Sequence, residues 1–308
     1  MKGARQRLII SGYGGFVAGS IVWQALRSDQ WDLYALTLTA PAEEQERFHV
    51  LPFDLCDVNR TRQVIADIRP DAVIHTAALA DIDYCQTHQE EAERVNVGVT
   101  RELAQLCGDI GAKLILCSTD SVFDGVQGLY TEVDAPHPVN FYAETKVRAE
   151  EAVREHVEGG VIARLSLVMG LPVLGAGNSF LAKMIASLAQ GEQVKFPANE
   201  IRTPVDVITV GRALLEIAAG PFAGILHLAG STRLDRYEMA CQIAERLGHS
   251  RDRVLATDSN AMAGRAPRPN DASLDNAKAR RILRTPMRTL MDGFDLVMQT
   301  KEEQERAA

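Results

Sequence analysis

Short apolar runs alternate with longer amphipathic segments through the first half of the chain, and this alternation limits the fold more than any other feature. Residues 7–11, 33–39, 72–77 and 113–118 read as strands, and 19–27, 61–69 and 90–108 read as helices. Such repetition implies βαβ units and a doubly wound parallel sheet with helices on both faces. The runs at 72–77 and 114–117 hold few polar residues, as strands buried on both sides require. A helix is expected from Tyr142 to about residue 156, stopped by Gly159 and Gly160, with a further strand at 161–165.

Beyond Gly170 the pattern loosens into loops and separate helices at 179–190, 207–219, 236–247 and 276–283. The expected organisation is a dinucleotide-type α/β domain over 1–168 and a smaller irregular α/β lobe over 169–308, with about 201–220 returning to the first domain. The charged end, 301–308, is expected to fray.

The 308 residues are 46% hydrophobic and carry a formal net charge of -8, which disfavours a nucleic-acid surface or an anionic membrane as partner. No apolar stretch approaches the 18 or more residues of a membrane span, and the basic residues 1–7 lead into a strand rather than a signal peptide. The five cysteines are scattered without a C-x-x-C spacing, so buried free thiols in a reducing cytoplasm are expected. His75 lies in an apolar strand, and His137 and His227 lie near turns without a second ligand at metal spacing. No catalytic metal is expected.

Four clusters carry chemistry. Gly12, Tyr13, Gly14, Gly15, Phe16 and Val17 join the first strand to a helix, in the context of a GxxGxxG dinucleotide turn or an ordinary tight turn. The third glycine of that spacing is Ala18, with Gly19 one place late. The second strand ends without an acid for a ribose 2′-hydroxyl or a base for a 2′-phosphate, which leaves the choice between NADP and NAD open. Asp54 follows a strand where it could meet an adenine, Asp57 is placed as a helix cap, and Ala77, Ala78 and Leu79 leave room at a strand end. Ser118-Thr119-Asp120 closes another strand, as donors for a developing oxyanion or as a local turn. Tyr142 and Lys146 stand four apart on one helical face, a spacing at which an ammonium would pull a phenol pKa below its usual value of about 10.

The order of these motifs, with Asn96, the segment from Ser118 to Gly125, Glu132, Arg164, Arg202 to Val205, His227 to Gly230, Arg268-Pro269 and Ser273 to Asn276, resembles the extended short-chain dehydrogenase/reductase family. Within it the dTDP-4-dehydrorhamnose reductase group is most similar, over nearly the whole chain. The resemblance implies a Rossmann-type fold, a nicotinamide cofactor and reduction of a nucleotide-activated keto-sugar. It implies Tyr142 as general acid, Lys146 as the residue that lowers its pKa and holds the nicotinamide ribose, and Thr119 on the substrate carbonyl. Asn96 would order the catalytic helix or its water, and joins the glycine turn, Asp54, Leu55, Ala77, Ala78, Leu79, Ser118, Tyr142 and Lys146 as cofactor-binding residues. The implied substrate side is Ser118, Asp120, Ser121, Arg202 and Arg268, although Arg268 reads equally as a structural salt bridge. The chain departs from the pattern at Ser121, where the family has tyrosine, and at Ala143, where it has glycine. A homodimer is the family's habit. An epimerase or dehydratase keeps the same groups, although Ser121 stands where a dehydratase has a partnering glutamate; regulatory subunits of the group keep the fold without acting as sugar reductases.

Overall fold

The computed structural model describes residues 5–40, 47–175, 177–262 and 264–307. Six strands, separated by helices except that none lies between the second and third among the described residues, are β1 (Gln6–Ser11), β2 (Trp31–Thr37), β3 (His49–Pro52), β4 (Ala72–His75), β5 (Lys113–Thr119) and β6 (Val161–Leu165). A seventh strand, Gly224–Leu228, joins β6, and the sheet runs Gly224–Leu228, β6, β5, β4, β1, β2, β3 with every pairing parallel. The fold is a Rossmann-type α/β sheet. The expected boundary at 168/169 therefore does not separate the sheet from the rest, because its edge strand comes from the second half of the chain. That strand lies in a stretch read as loop; five residues between glycines are too few to reveal a period.

Alternation within β1 divides the core. Leu8 and Ile10 face α1 (Phe16–Ala25) and helix Val207–Ala219, while Ile9 faces α2 (Val58–Ile68) and α5 (Val99–Ile110) on the other side. All three are fully buried. After the short helix α3 (Ile82–Thr87), the expected helix 90–108 is three pieces: α4 (Gln89–Ala92), a π-helical turn over Glu93–Gly98, and α5. A π-turn adds a residue to the helical ladder and so re-aims the side chains it carries, here Asn96. Asp57 caps α2 by accepting from Arg60 N–H at 3.0 Å, the role its position suggested.

The smaller lobe has its own core, formed by helices Phe180–Ala189, Arg236–Arg246 and Leu290–Ala307 and the paired strands Val194–Pro197 and Val254–Thr257. Residues 301–307 continue the last helix instead of fraying. Pairs at i, i+4, Lys301–Glu305 at 3.3 Å and Arg306–Glu302 at 2.9 Å, extend it, and Gln304 donates to the Val173 carbonyl at 2.9 Å. No helix among the described residues is long and apolar enough to cross a membrane.

The displaced glycine of the first turn also has an explanation. Ala18 is fully buried, whereas a methyl on Gly19 would overlap the Leu174 carbonyl oxygen, where the chain entering the smaller lobe crosses α1. A Gly19→Ala protein should therefore lose about 1–3 kcal/mol of stability by overpacking, read as a lower urea midpoint at unchanged m-value.

Candidate active site

The strand order reverses between β1 and β4, so their connections leave in opposite directions and open a crevice at the carboxyl edge of the sheet. A cleft of about 600 Å³ lies there, bounded by the glycine turn, the ends of β2 and β3, and Thr76 to Ala80. Its size suits a cofactor. Gly12, Tyr13, Gly15, Phe16, Val17, Asp54, Leu55, Ala77, Ala78 and Leu79, which the sequence reading names for a cofactor, all line it. Gly12 has φ 81° and Gly14 φ 95°, both in the left-handed region, and a methyl on Gly12 would come within 2.8 Å of Ala77 N. Gly15 caps α1 without a side-chain bond, and no acidic residue stands in the first turn. The N–H groups of that turn are thus directed at a site suited to phosphate oxygens. Nothing in the cradle conflicts with a dinucleotide.

The end of β2 contributes Leu36, Thr37 and Leu38 to the cleft. Sequence reading did not name Cys56, Arg94 and Asn178, which also line it; the last two come from distant segments that no local pattern connects to the turn. Asp54 Oδ1 accepts from Cys56 N–H at 2.9 Å and so shapes the loop it sits in.

The second half of the site is built by β5 and α6 (Phe141–His156). Asn140 caps α6, accepting from Ala143 N–H at 2.9 Å and donating to the Pro267 carbonyl at 3.0 Å. Thr119 ends β5, accepts from Ser121 N–H at 3.1 Å and points its hydroxyl to Asp120 at 3.3 Å. Tyr142 is packed beside Thr119 and Asp120. Burial raises its phenol pKa, the Thr119 hydroxyl partly offsets this, and the Asp120 charge adds to the rise. The expected lowering by Lys146 is not what the structure shows. Lys146 Nζ donates to the Cys117 carbonyl at 2.8 Å, and burial lowers its own pKa. One helical face carries both residues, but the lysine reaches under the helix to β5.

Several predicted ligand-binding side chains are instead held within the protein. The Ser118 hydroxyl donates to Glu150 Oε1 at 2.5 Å, and Glu150 is bound by Arg164 Nη2 at 2.7 Å and Nε at 3.0 Å, all buried. Asn96 accepts from Leu79 N–H at 2.8 Å and donates to the Leu79 carbonyl at 3.1 Å and to Thr145 Oγ1 at 3.0 Å. These bonds engage its oxygen and both donor hydrogens, so it ties α6 to the strand-end loop. Arg202 donates to the carbonyls of Ile201, Pro269 and Asn270 and stands 3.6 Å from Asp120. Arg268 pairs with Asp83 at 2.9 Å and donates to the Ala266 carbonyl, the structural bridge that was one of its two readings. Asp120 is itself buried, which raises its pKa, against the charge of Arg202 and hydrogen bonds from Ser121, Thr119 and Ser166. Ser121 is buried beside it, and the Ala143 methyl is fully enclosed.

His75 is a hydrogen-bonded core residue, and its pKa is lowered to about 3 by burial and by the Lys146 charge. His227 is likewise lowered to about 3, mainly by burial. Cys85, Cys107, Cys117 and Cys241 are buried free thiols, and Cys56 is partly exposed. Among the described residues no group of three or more His, Cys, Asp or Glu is arranged to hold a metal.

A parallel sheet with a glycine turn at its switch point, and a helix carrying Tyr142 and Lys146 beside β5, defines a Rossmann-type α/β protein. Residues 6–302 match the model of the RmlD substrate binding domain, and the chain belongs to that family. It is 29% identical to the bovine (Bos taurus) methionine adenosyltransferase 2 subunit beta, covering 92% of this chain and 85% of the relative. It is also 29% identical to dTDP-4-dehydrorhamnose reductase of Mycobacterium tuberculosis, covering 94% and 91%. The solved structure of dTDP-4-dehydrorhamnose reductase from Bacillus anthracis in complex with NADP has the same fold, with TM-score 0.85 at 24% identity over 96% of this chain and 99% of that one.

Two outcomes follow from the site. Arg164→Met should cost about 3–5 kcal/mol by stranding the Glu150 carboxylate, and Glu150→Leu added to it should restore part of the loss, as a double-mutant cycle would show. For Tyr142, a phenol raised on folding lends its full stabilisation below its unfolded pKa of about 10 and loses it as pH rises through the folded value. The stability difference between the wild type and Tyr142→Phe should accordingly stay level from pH 7 to about 10 and turn against the wild type above that. Urea unfolding across this range measures it.

Proposed function

We propose that this protein is an NAD(P)H-dependent reductase of a nucleotide-activated 4-keto sugar, resembling dTDP-4-dehydrorhamnose reductase. The observation that carries the reading is that the glycine-turn cleft and Thr119, at the end of β5, belong to one carboxyl edge of the sheet, with Tyr142 packed beside Thr119. The family match and the Mycobacterium tuberculosis relative support the substrate class. The bound cofactor supplies hydride chemistry.

The chain's own residues would do the rest. The glycine turn and the N-terminus of α1 bind phosphate oxygens, and Thr119 offers its hydroxyl to the substrate carbonyl. Tyr142 donates a proton to that oxygen as it becomes an alkoxide. A phenol kept protonated by burial is a competent donor to such a base. Lys146, already on the Cys117 carbonyl, stands ready to hold a ribose hydroxyl near the tyrosine. Asn96, by fixing Thr145, keeps the helix that carries both groups in place. The cleft accepts either NADP or NAD, since the β2 end presents Leu36, Thr37 and Leu38 without a charge to select between them.

A second reading, a non-catalytic dinucleotide-binding regulatory subunit, is favoured by the likeness to methionine adenosyltransferase 2 subunit beta. The distinction is an activity measurement. NADPH or NADH should be oxidised steadily with a dTDP-4-keto-6-deoxy sugar, and Tyr142→Phe should lower kcat by about 10²–10⁴ while dinucleotide binding persists. Binding of a dinucleotide without turnover of any nucleotide sugar by the wild type would favour the regulatory reading.

A further inference from the structure

A continuous chain of buried hydrogen bonds leads from the phosphate-binding turn to the tyrosine backbone. It begins at Ser11, the residue before Gly12, whose Oγ accepts from Thr76 N–H at 3.2 Å and Ala77 N–H at 3.4 Å. Its one hydroxyl hydrogen therefore goes to His75 Nδ1, at 2.7 Å. On the far side of the ring, Nε2 lies 3.1 Å from Thr100 Oγ1, and Thr100 donates its hydrogen to the Asn96 carbonyl at 2.7 Å. Nε2 is thus the protonated nitrogen, and the network assigns one neutral tautomer.

From Asn96 the chain branches. The side chain holds Leu79, on the wall of the cleft, at both its N–H and its carbonyl, and also holds Thr145, which in turn donates to the Tyr142 carbonyl at 2.7 Å. Ser11, His75, Thr100, Asn96 and Thr145 are all nearly fully buried, so water competes little for any link. The π-turn makes the last step geometrically available, because Asn96 lies within it while Thr100 lies one turn on, in α5.

We propose that His75 and Thr100 are positioning residues that couple the glycine turn to the helix carrying Tyr142, so that seating a dinucleotide on the turn orders the proton donor. Neither residue touches ligand; each acts through the groups it fixes. The proposal rests on the dinucleotide reading of the cleft. It differs from a purely structural role in requiring that an event at Gly12 be felt at Tyr142, and in depending on hydroxyl groups rather than on packing volume.

Hydrogen exchange on the full chain, with saturating ADP and separately adenosine 2′,5′-bisphosphate as probes, which carry phosphate to the turn without a nicotinamide ribose to meet Lys146, tests it. In the wild type, ligand should slow exchange at residues 12–19 and also at 142–148, by up to about 100-fold at a concentration one hundred times Kd. Thr100→Val preserves shape and removes the link; it should keep the protection at 12–19 and lose it at 142–148, and Thr100→Ser should restore it. Protection of both segments in Thr100→Val, or of the turn alone in the wild type, would overturn the coupling and leave the dinucleotide reading intact. Absence of protection at 12–19 with both probes in the wild type would remove that reading and the proposal with it. Should Thr100→Val not fold, Thr145→Val interrupts the same chain further along and is read in the same way.

Discussion

Burial of one parallel sheet on both faces is the constraint from which the rest of the structure follows. Leu8 and Ile10 of β1 look into one helical layer and Ile9 into the other, so the strand has no solvent face and its backbone has no free edge. Side chains along the middle of such a strand pack, and chemistry is confined to its ends. Because all seven strands run the same way, their carboxyl ends gather on a single edge. The glycine turn after β1, the Thr76 to Ala80 segment after β4 and Thr119 at the end of β5 become neighbours for that reason.

Polar groups buried behind that edge decide how firmly it is held. Ser118, Glu150 and Arg164 tie β5 to α6 and β6 in one charged cluster, with the guanidinium also 5.1 Å above the Phe123 ring. Such a pair is costly to break one-sidedly and adds little net stability beyond what apolar packing of equal volume would give. Its physical effect is to fix the depth at which α6 sits over the sheet. Arg202 and Arg268 act comparably at the other boundary, where their donors bind loop carbonyls of the smaller lobe and the carboxylate of Asp83. The charges of Arg202 and Arg268 are thus engaged within the protein, on loop carbonyls and carboxylates.

The relatives of this chain include a methionine adenosyltransferase 2 subunit beta and a dTDP-4-dehydrorhamnose reductase, and the structure keeps the glycine-turn cleft and the tyrosine helix on separate elements. Dinucleotide recognition depends on glycines and a helix N-terminus, which need no catalytic group. In the mechanism proposed above, proton donation would depend on Tyr142 and its surroundings, a separate set of residues on a separate helix. Retention of Thr119, Tyr142 and Lys146 together favours the enzyme.

The sequence by itself determined the parallel α/β class, the glycine turn, the Asp57 cap and the helix bearing Tyr142 and Lys146. Each depends on a period or a turn chemistry contained within a few consecutive residues. The strand Gly224–Leu228 and the π-turn at Glu93–Gly98 escaped notice, the first being too short to show a period and the second identical in composition to an α-helix. What only the tertiary structure decided was the employment of the polar side chains. Lys146 turned to the Cys117 carbonyl, Ser118 to Glu150 and Asn96 to Leu79 and Thr145, partners that lie 17 to 49 positions away. A buried donor takes whichever acceptor the folded chain brings within about 3 Å, and that acceptor is set by sheet order rather than by neighbouring sequence.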